Sequence, residues 1–224
     1  MKRLITALVI LITTTIIAQN KVEKTIGEFT ELKVYDLIEV ELIKSDSDKI
    51  IISGENKEDV LVNNKNGILK IKMKLEEAFD GNKTKIILYY TNIDIIDANE
   101  GAKIYSEDEI KQFEIDLNAQ EGSKIKVKLN VTHTNIRSVT GSNIQTSGIS
   151  KNQNISIYTG GVYKGKELKT TFTDVSIRAA GEAHVNAKTL VKAKVRAGGN
   201  VYIYGNPEKV EESKIFGGRI KKMN

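Results

Sequence analysis

His133 and His184 are the only two histidines in the 224-residue chain, and they stand 51 positions apart. Neither belongs to a His-x-x-x-His segment or has a glutamate at ligand spacing, so a metal centre would need ligands assembled by folding. There is no cysteine, which removes thiolate zinc sites, disulfides and thiol nucleophiles. No Gly-x-Ser-x-Gly elbow is present for a serine nucleophile. The pairs Gly160-Gly161, Gly198-Gly199 and Gly217-Gly218 would cradle phosphate only if a helix followed, and the residues after them have no 3.6-residue period. They read as corners between strands. Carboxylates come nearest to a pattern in Asp94, Asp97 and Asp116, which a stacked fold would bring into an outward acidic column. Among cations, Arg178 and Arg196 share an aliphatic-Arg-Ala-(Ala/Gly)-Gly context. With Lys192, Lys194 and Arg219 they form the candidate anion-binding set. For every one of these charges the plain alternative is a solvated outer face. No cofactor motif is found.

The element that must position these residues is a repeat. From residue 98 a seven-residue block recurs, with glycine fourth and an aliphatic residue or tyrosine seventh; Ala98–Ile104, Ala119–Ile125, Ser138–Ile144 and Ile157–Tyr163 are copies. Arg178–Val185 carries one extra residue, and Val195–Val201 and Lys214–Ile220 follow. The block glycines are spaced 21, 19, 19, 21, 17 and 19 residues apart. Short alternating segments precede the blocks, such as Phe113–Leu117, Asn154–Ile157 and Thr173–Ile177, with apolar side chains at every second position. One such unit cannot bury its apolar face alone; stacked on its neighbours, it buries a continuous narrow core. The pattern predicts an all-β parallel solenoid with coils of about 19 residues. Composition agrees: there is no tryptophan, aromatic residues make up 6%, and the single proline, Pro207, falls in a loop.

Residues 19–92 hold only four of the seventeen glycines but are also β in pattern. Phe29, Leu32, Val34, Ile38, Val40 and Leu42 alternate, Ile50–Ile52 and Lys85–Tyr90 read as strands, and Asn63–Gly67 reads as a turn into Leu69–Met73. Leu75–Phe79 fits one helical turn. These strands are expected to start and cap the stack, so the division is a signal peptide at 1–18 and a single domain at 19–224, with regular coils over 93–224. Met1-Lys2-Arg3 followed by the uncharged run Leu4–Ala18 is a signal-peptide pattern, too short for a membrane span. No later stretch is apolar enough for a transmembrane helix. Export to the periplasm, outer surface or extracellular space follows. Charge is uneven: residues 19–150 carry 18 Lys and Arg against 23 Asp and Glu, and residues 151–224 carry 14 against 6. The basic half suits surface polysaccharide, lipopolysaccharide or another envelope protein, and self-association of the two halves is a further option. Nucleic acid does not fit an exported chain so poor in aromatic residues.

The order of these features resembles the putative auto-transporter adhesin, head GIN domain family. The likeness runs through Phe29–Val34, Ile38–Leu42, Ile50–Asn56, Asn66–Ile71, Ile93–Ile96 and the Gly-x-x-Ile blocks. Where the family often has a proline after the strand at Tyr89, this chain has Thr91-Asn92. The resemblance implies a right-handed parallel β-helix exported by Bacteroidetes-type bacteria, and it supplies no catalytic residues. The expected function is a non-enzymatic cell-envelope binding module, an adhesin working through a repetitive face. The alternative is a carbohydrate-active enzyme of the β-helix type, a polysaccharide lyase or glycosidase.

Overall fold

The computed structural model describes residues 21–223, and the export signal expected at 1–18 lies outside the described residues. Sixteen strands form one continuous sheet. They are β1 (Val22–Thr25), β2 (Glu31–Val34), β3 (Glu39–Lys44), β4 (Lys49–Gly54), β5 (Val60–Lys65), β6 (Ile68–Met73), β7 (Thr84–Tyr90) and β8 (Ile95–Ala98). The long strands follow: β9 (Lys103–Ala119), β10 (Lys124–Val139), β11 (Asn143–Tyr158), β12 (Val162–Ile177) and β13 (Glu182–Ala197). β14 (Asn200–Tyr204), β15 (Lys209–Phe216) and β16 (Arg219–Lys222) end the stack.

The anatomy of a coil can be read from β10. Ile125, Val127, Leu129 and Val131 are buried while Lys124, Lys126 and Lys128 are exposed, as a period of two requires. Thr132 and His133 are then both half-exposed, and burial resumes at Thr134, Ile136 and Ser138. That slip bends the strand, so each coil has a first arm, a bend edge, a second arm and a turn edge. β9 to β13 stack in parallel and, outside local register shifts, adjacent partners line up in columns that run along the stack. The expected parallel solenoid of about 19-residue coils is what forms.

The turn edge carries its own ladder. Thr140 and Gly141 both adopt left-handed φ, at 47° and 69°, and Ser142 N–H donates to Val139 O at 3.2 Å. Gly122 N–H donates to Thr140 O at 3.1 Å and Gly141 N–H to Thr159 O at 3.3 Å, so each turn is bonded to the next. Gly181 departs from the block alignment. It lies level with Gly161, because Glu182 N–H donates to Gly161 O at 3.1 Å, and Ala180 takes the left-handed position at φ 52°. The uneven glycine spacing therefore reflects where glycine sits within a turn as well as the length of the coil.

The N-terminal region caps the stack but does not follow chain order. β2 lies between β6 and β8, and β3 lies between β7 and β9. The first coil laid down is thus enclosed by two later ones. The chain, whose β1 precedes the first coil and pairs antiparallel with β4, runs outward from that coil and adds β4 and β5 as antiparallel strands. It then returns past its own first coil through residues 91–94. Asp48 holds that return, its carboxylate accepting from Thr91 N–H at 2.8 Å and from the Thr91 hydroxyl at 2.9 Å. The turn expected over Asn63–Gly67 is narrower: residues through Lys65 belong to β5, and Asn66-Gly67, with φ 55° and 77°, make a two-residue hairpin. The turn expected at Leu75–Phe79 is a 3₁₀ turn over Leu75–Glu77.

Most inward columns are Ile, Val, Leu and Ala, with a polar layer inserted between β11 and β12. The hydroxyl of fully buried Tyr163 meets Thr146 Oγ1 at 2.6 Å and accepts from Gln153 Nε2 at 2.5 Å, while Thr173 Oγ1 donates to Gln153 Oε1 at 3.2 Å. Tyr90, on β7, is buried with its hydroxyl unpartnered, and desolvation pushes that phenol up to about 12.

Two pairs of substitutions test this account. Tyr163→Phe strands the Gln153 amide and should destabilise by roughly 1–3 kcal/mol, whereas Tyr90→Phe removes an unpaired hydroxyl and should be neutral or stabilising in thermal unfolding. At Gly148, with φ 100°, a Cβ would come within 2.1 Å of Leu129 O, so Gly148→Ala should cost about 3 kcal/mol or prevent folding. At Gly122, φ is 74° and a Cβ meets nothing within 4 Å, so Gly122→Ala should cost only about 1–2 kcal/mol, from backbone strain alone.

Candidate anion-binding face

Outward columns of the second arm hold four of the five candidate cations. Ile177 pairs with Val195, so Arg178 and Arg196, which follow them, sit side by side on adjacent coils. Both are exposed, and neither has a carboxylate within salt-bridge distance among the described residues. The Tyr158 ring lies between Arg178, 5.1 Å from its centroid, and Arg137, at 5.8 Å. Cation–π contact holds these guanidinium groups without neutralising them, leaving their donors directed to solvent.

Lys192 and Lys194 share this arm but have acidic neighbours. Lys192 Nζ is 3.9 Å from Glu211 Oε2, and Lys194 Nζ is 3.9 Å from Asp174 Oδ2. Glu211 is also held by Lys209 at 2.6 Å, and that hydrogen bond keeps its carboxyl below the usual range. Arg219 is not brought to the group. It lies in β16 and pairs with Asn200 of β14, on the first arm, because the turn at Gly217-Gly218 passes the chain across the edge before Arg219 is reached. The face therefore centres on Arg137, Arg178 and Arg196, with Lys192 and Lys194 at its margin.

The acidic column does not form in the register expected. Asp116 pairs with Ile95, and Asp94 contributes its backbone carbonyl to Asp116 N–H at 2.9 Å, leaving the two side chains one residue out of step. Asp116 instead accepts from Asn135 Nδ2 at 2.7 Å, and Asn135 accepts from Asn154 Nδ2 at 3.1 Å. Asp97 is desolvated, which raises its carboxyl pKa, with Lys33 at 3.8 Å and an Asn99 hydrogen bond opposing the shift. Among the described residues no group of three or more His, Cys, Asp or Glu converges as a metal site.

The histidines also separate. His133 lies on the bend edge, its ring 5.0 Å from Phe113. His184 lies on the first arm, with Nε2 2.6 Å from Glu182 Oε1, Nδ1 3.3 Å from Tyr204 Oη, and its ring stacked 4.7 Å from Tyr202. This cluster is absent from the sequence reading, yet coil arithmetic contains it. Tyr202 is one coil after His184 and in register with it.

Comparison with solved structures places the fold among known ones. A putative adhesin from Bacteroides fragilis aligns at TM-score 0.84 with 17% identity, covering 91% of this chain and 96% of that one. A putative adhesin from Parabacteroides merdae aligns at 0.73 with 16% identity, covering 92% and 96%. A protein from Parabacteroides distasonis titled a putative lipid binding protein aligns at 0.70 with 15% identity, covering 92% and 96%. At these identities the likeness is one of fold. No curated protein matches the chain. The family model described as "Putative auto-transporter adhesin, head GIN domain" matches residues 28–207, the span from the buried Phe29 to the loop at Pro207, and the chain belongs to that family.

Proposed function

We propose that this chain is an exported, non-enzymatic binding module of the cell envelope, an adhesin that holds an anionic surface polymer such as polysaccharide or lipopolysaccharide. It acts in the periplasm, on the outer surface or outside the cell. The observation that carries this reading is the in-register pair Arg178 and Arg196, exposed and without acid partners, beside Arg137 across the Tyr158 ring. Ladder spacing separates neighbouring coils by about 4.8 Å, so the guanidinium groups form a short row along the stack axis. A polymer with recurring carboxylates or phosphates meets such a row at several weak contacts at once, and their effects multiply. Family membership supports the same direction. For the enzyme alternative, Asp94, Glu114 and Asp116 do line one depression, but Glu114 and Asp116 both accept from the Asn135 amide, which occupies them structurally.

The test is a glycan array with the processed protein at two salt concentrations. Binding should favour anionic glycans and weaken at high salt. Arg178→Glu with Arg196→Glu should reduce that binding at least ~10-fold, the loss of two charge-assisted contacts. Unchanged binding by the double variant would remove the arginine row from the mechanism.

A further inference from the structure

A second cationic surface lies on the bend edge, away from the arginine row. There Val131, Ile149, Lys151, Lys169 and Lys188 are among the residues that line a depression of ≈ 490 Å³. No lining residue is acidic. Lys151, Lys169 and Lys188 come from three successive strands, β11, β12 and β13, so their columns span about two ladder steps, roughly 10 Å. All three are exposed, and none has a carboxylate within 4 Å among the described residues, although Glu167 and Glu208 stand just outside the lining. The floor is apolar: Ile149 is 50% exposed beside Val131. Phe172, 38% exposed, follows on the same edge, whereas Phe113, 66% exposed, lies further along in a depression shared with Asp94, Glu114 and Asp116 and marks the acidic limit of the surface.

These features discriminate between occupants. A peptide strand cannot add here, because β10 to β13 are paired on both sides. The lining contains no aromatic ring on which a sugar could stack. Unpaired ammonium groups around an exposed aliphatic floor, with Phe172 beyond, match the boundary between anionic head groups and the first methylenes of a lipid. We infer that the bend edge is a docking site for the surface of an anionic lipid bilayer, with Lys151, Lys169 and Lys188 on the head groups and Ile149 and Phe172 dipping below them. This goes beyond polymer binding at the arginine row and does not depend on it.

The experiment is co-sedimentation of the processed protein, without residues 1–18, with vesicles of phosphatidylcholine alone or mixed with phosphatidylglycerol. Association should require phosphatidylglycerol. A lysine near an anionic surface contributes roughly a fivefold factor, so Lys151→Gln with Lys169→Gln and Lys188→Gln should weaken it on the order of 100-fold. Ile149→Ser should weaken it several-fold at unchanged charge. Because the three lysines are exposed, the triple variant should keep the parent's unfolding temperature, so that its loss reports the surface alone. Equal binding to both vesicles, or parent-level binding by the triple variant, overturns the inference. Displacement by millimolar inorganic phosphate at constant ionic strength, together with an inert Ile149→Ser, would also overturn it, by making the groove a free-anion site.

Discussion

The structure depends on one recurring hydrogen bond, the one that ties a turn to the turn of the next coil. Leu37 N–H donates to Glu100 O, Gly101 N–H to Glu121 O, Gly122 N–H to Thr140 O, and the series continues to Gly198 N–H on Phe216 O. Each bond contributes only about 1 kcal/mol net. Its larger effect is on register, because a coil slipped by one residue would turn Ile125, Val127 and Leu129 outward and lysines inward. With the turns locked, bulges must be absorbed elsewhere, and they are. The extra residues around Ser106–Asp108 fall within the first arm of β9, and alignment with β10 is recovered by Glu109.

Locked register converts sequence position into spatial columns, which is why much of the architecture was legible from spacing. Alternation and the glycine blocks specify arms and turns, and addition of one coil length places Arg178 beside Arg196. The same arithmetic misplaces what lies next to an irregular turn. Arg219 follows a glycine pair and so begins the opposite arm, and Asp94 precedes a four-residue strand whose register is one step from that of Asp116. Spatial order at the N-terminus was not legible at all. Strand patterns say that β2 and β6 are each half-buried ribbons, but nothing in their alternation says that β2 is enclosed by segments that follow it. That arrangement comes from tertiary pairing and from the bonds Asp48 makes to the returning chain at Thr91.

The two ends of the stack solve the edge problem differently. At the N-terminal end β1, β4 and β5 run antiparallel to their neighbours and interrupt the parallel series. At the C-terminal end β15 pairs with β13 alone and β16 with β14 alone, leaving Ile215 and Phe216 59% and 77% exposed. Charge defends that end: Lys209, Glu211, Glu212 and Lys214 lie along β15, and Lys221 and Lys222 along β16. Charged edge residues discourage a foreign strand from pairing.

Net charge identifies the basic half of the chain but not its working surface, because lysines there have two fates. Some face acids across one ladder step, as Lys192 faces Glu211 and Lys194 faces Asp174, and their fields largely cancel beyond a few ångströms. Others have no such partner: Arg178 lies between Tyr158 and Arg196, Lys169 lies opposite Ile149 and Asn186, and Lys151 follows Ser150, which is level with Thr170. The difference is set by register and not by composition, since Asp174 lies level with Lys192 and reaches Lys194, while no acid lies level with Arg178 or Arg196. Selection for a core that stacks acts on the inward half of each coil and leaves the outward half free to vary. On this fold, uncompensated charge therefore resides in those outward columns that lack a countercharge, and they run along the second arm and along the bend edge.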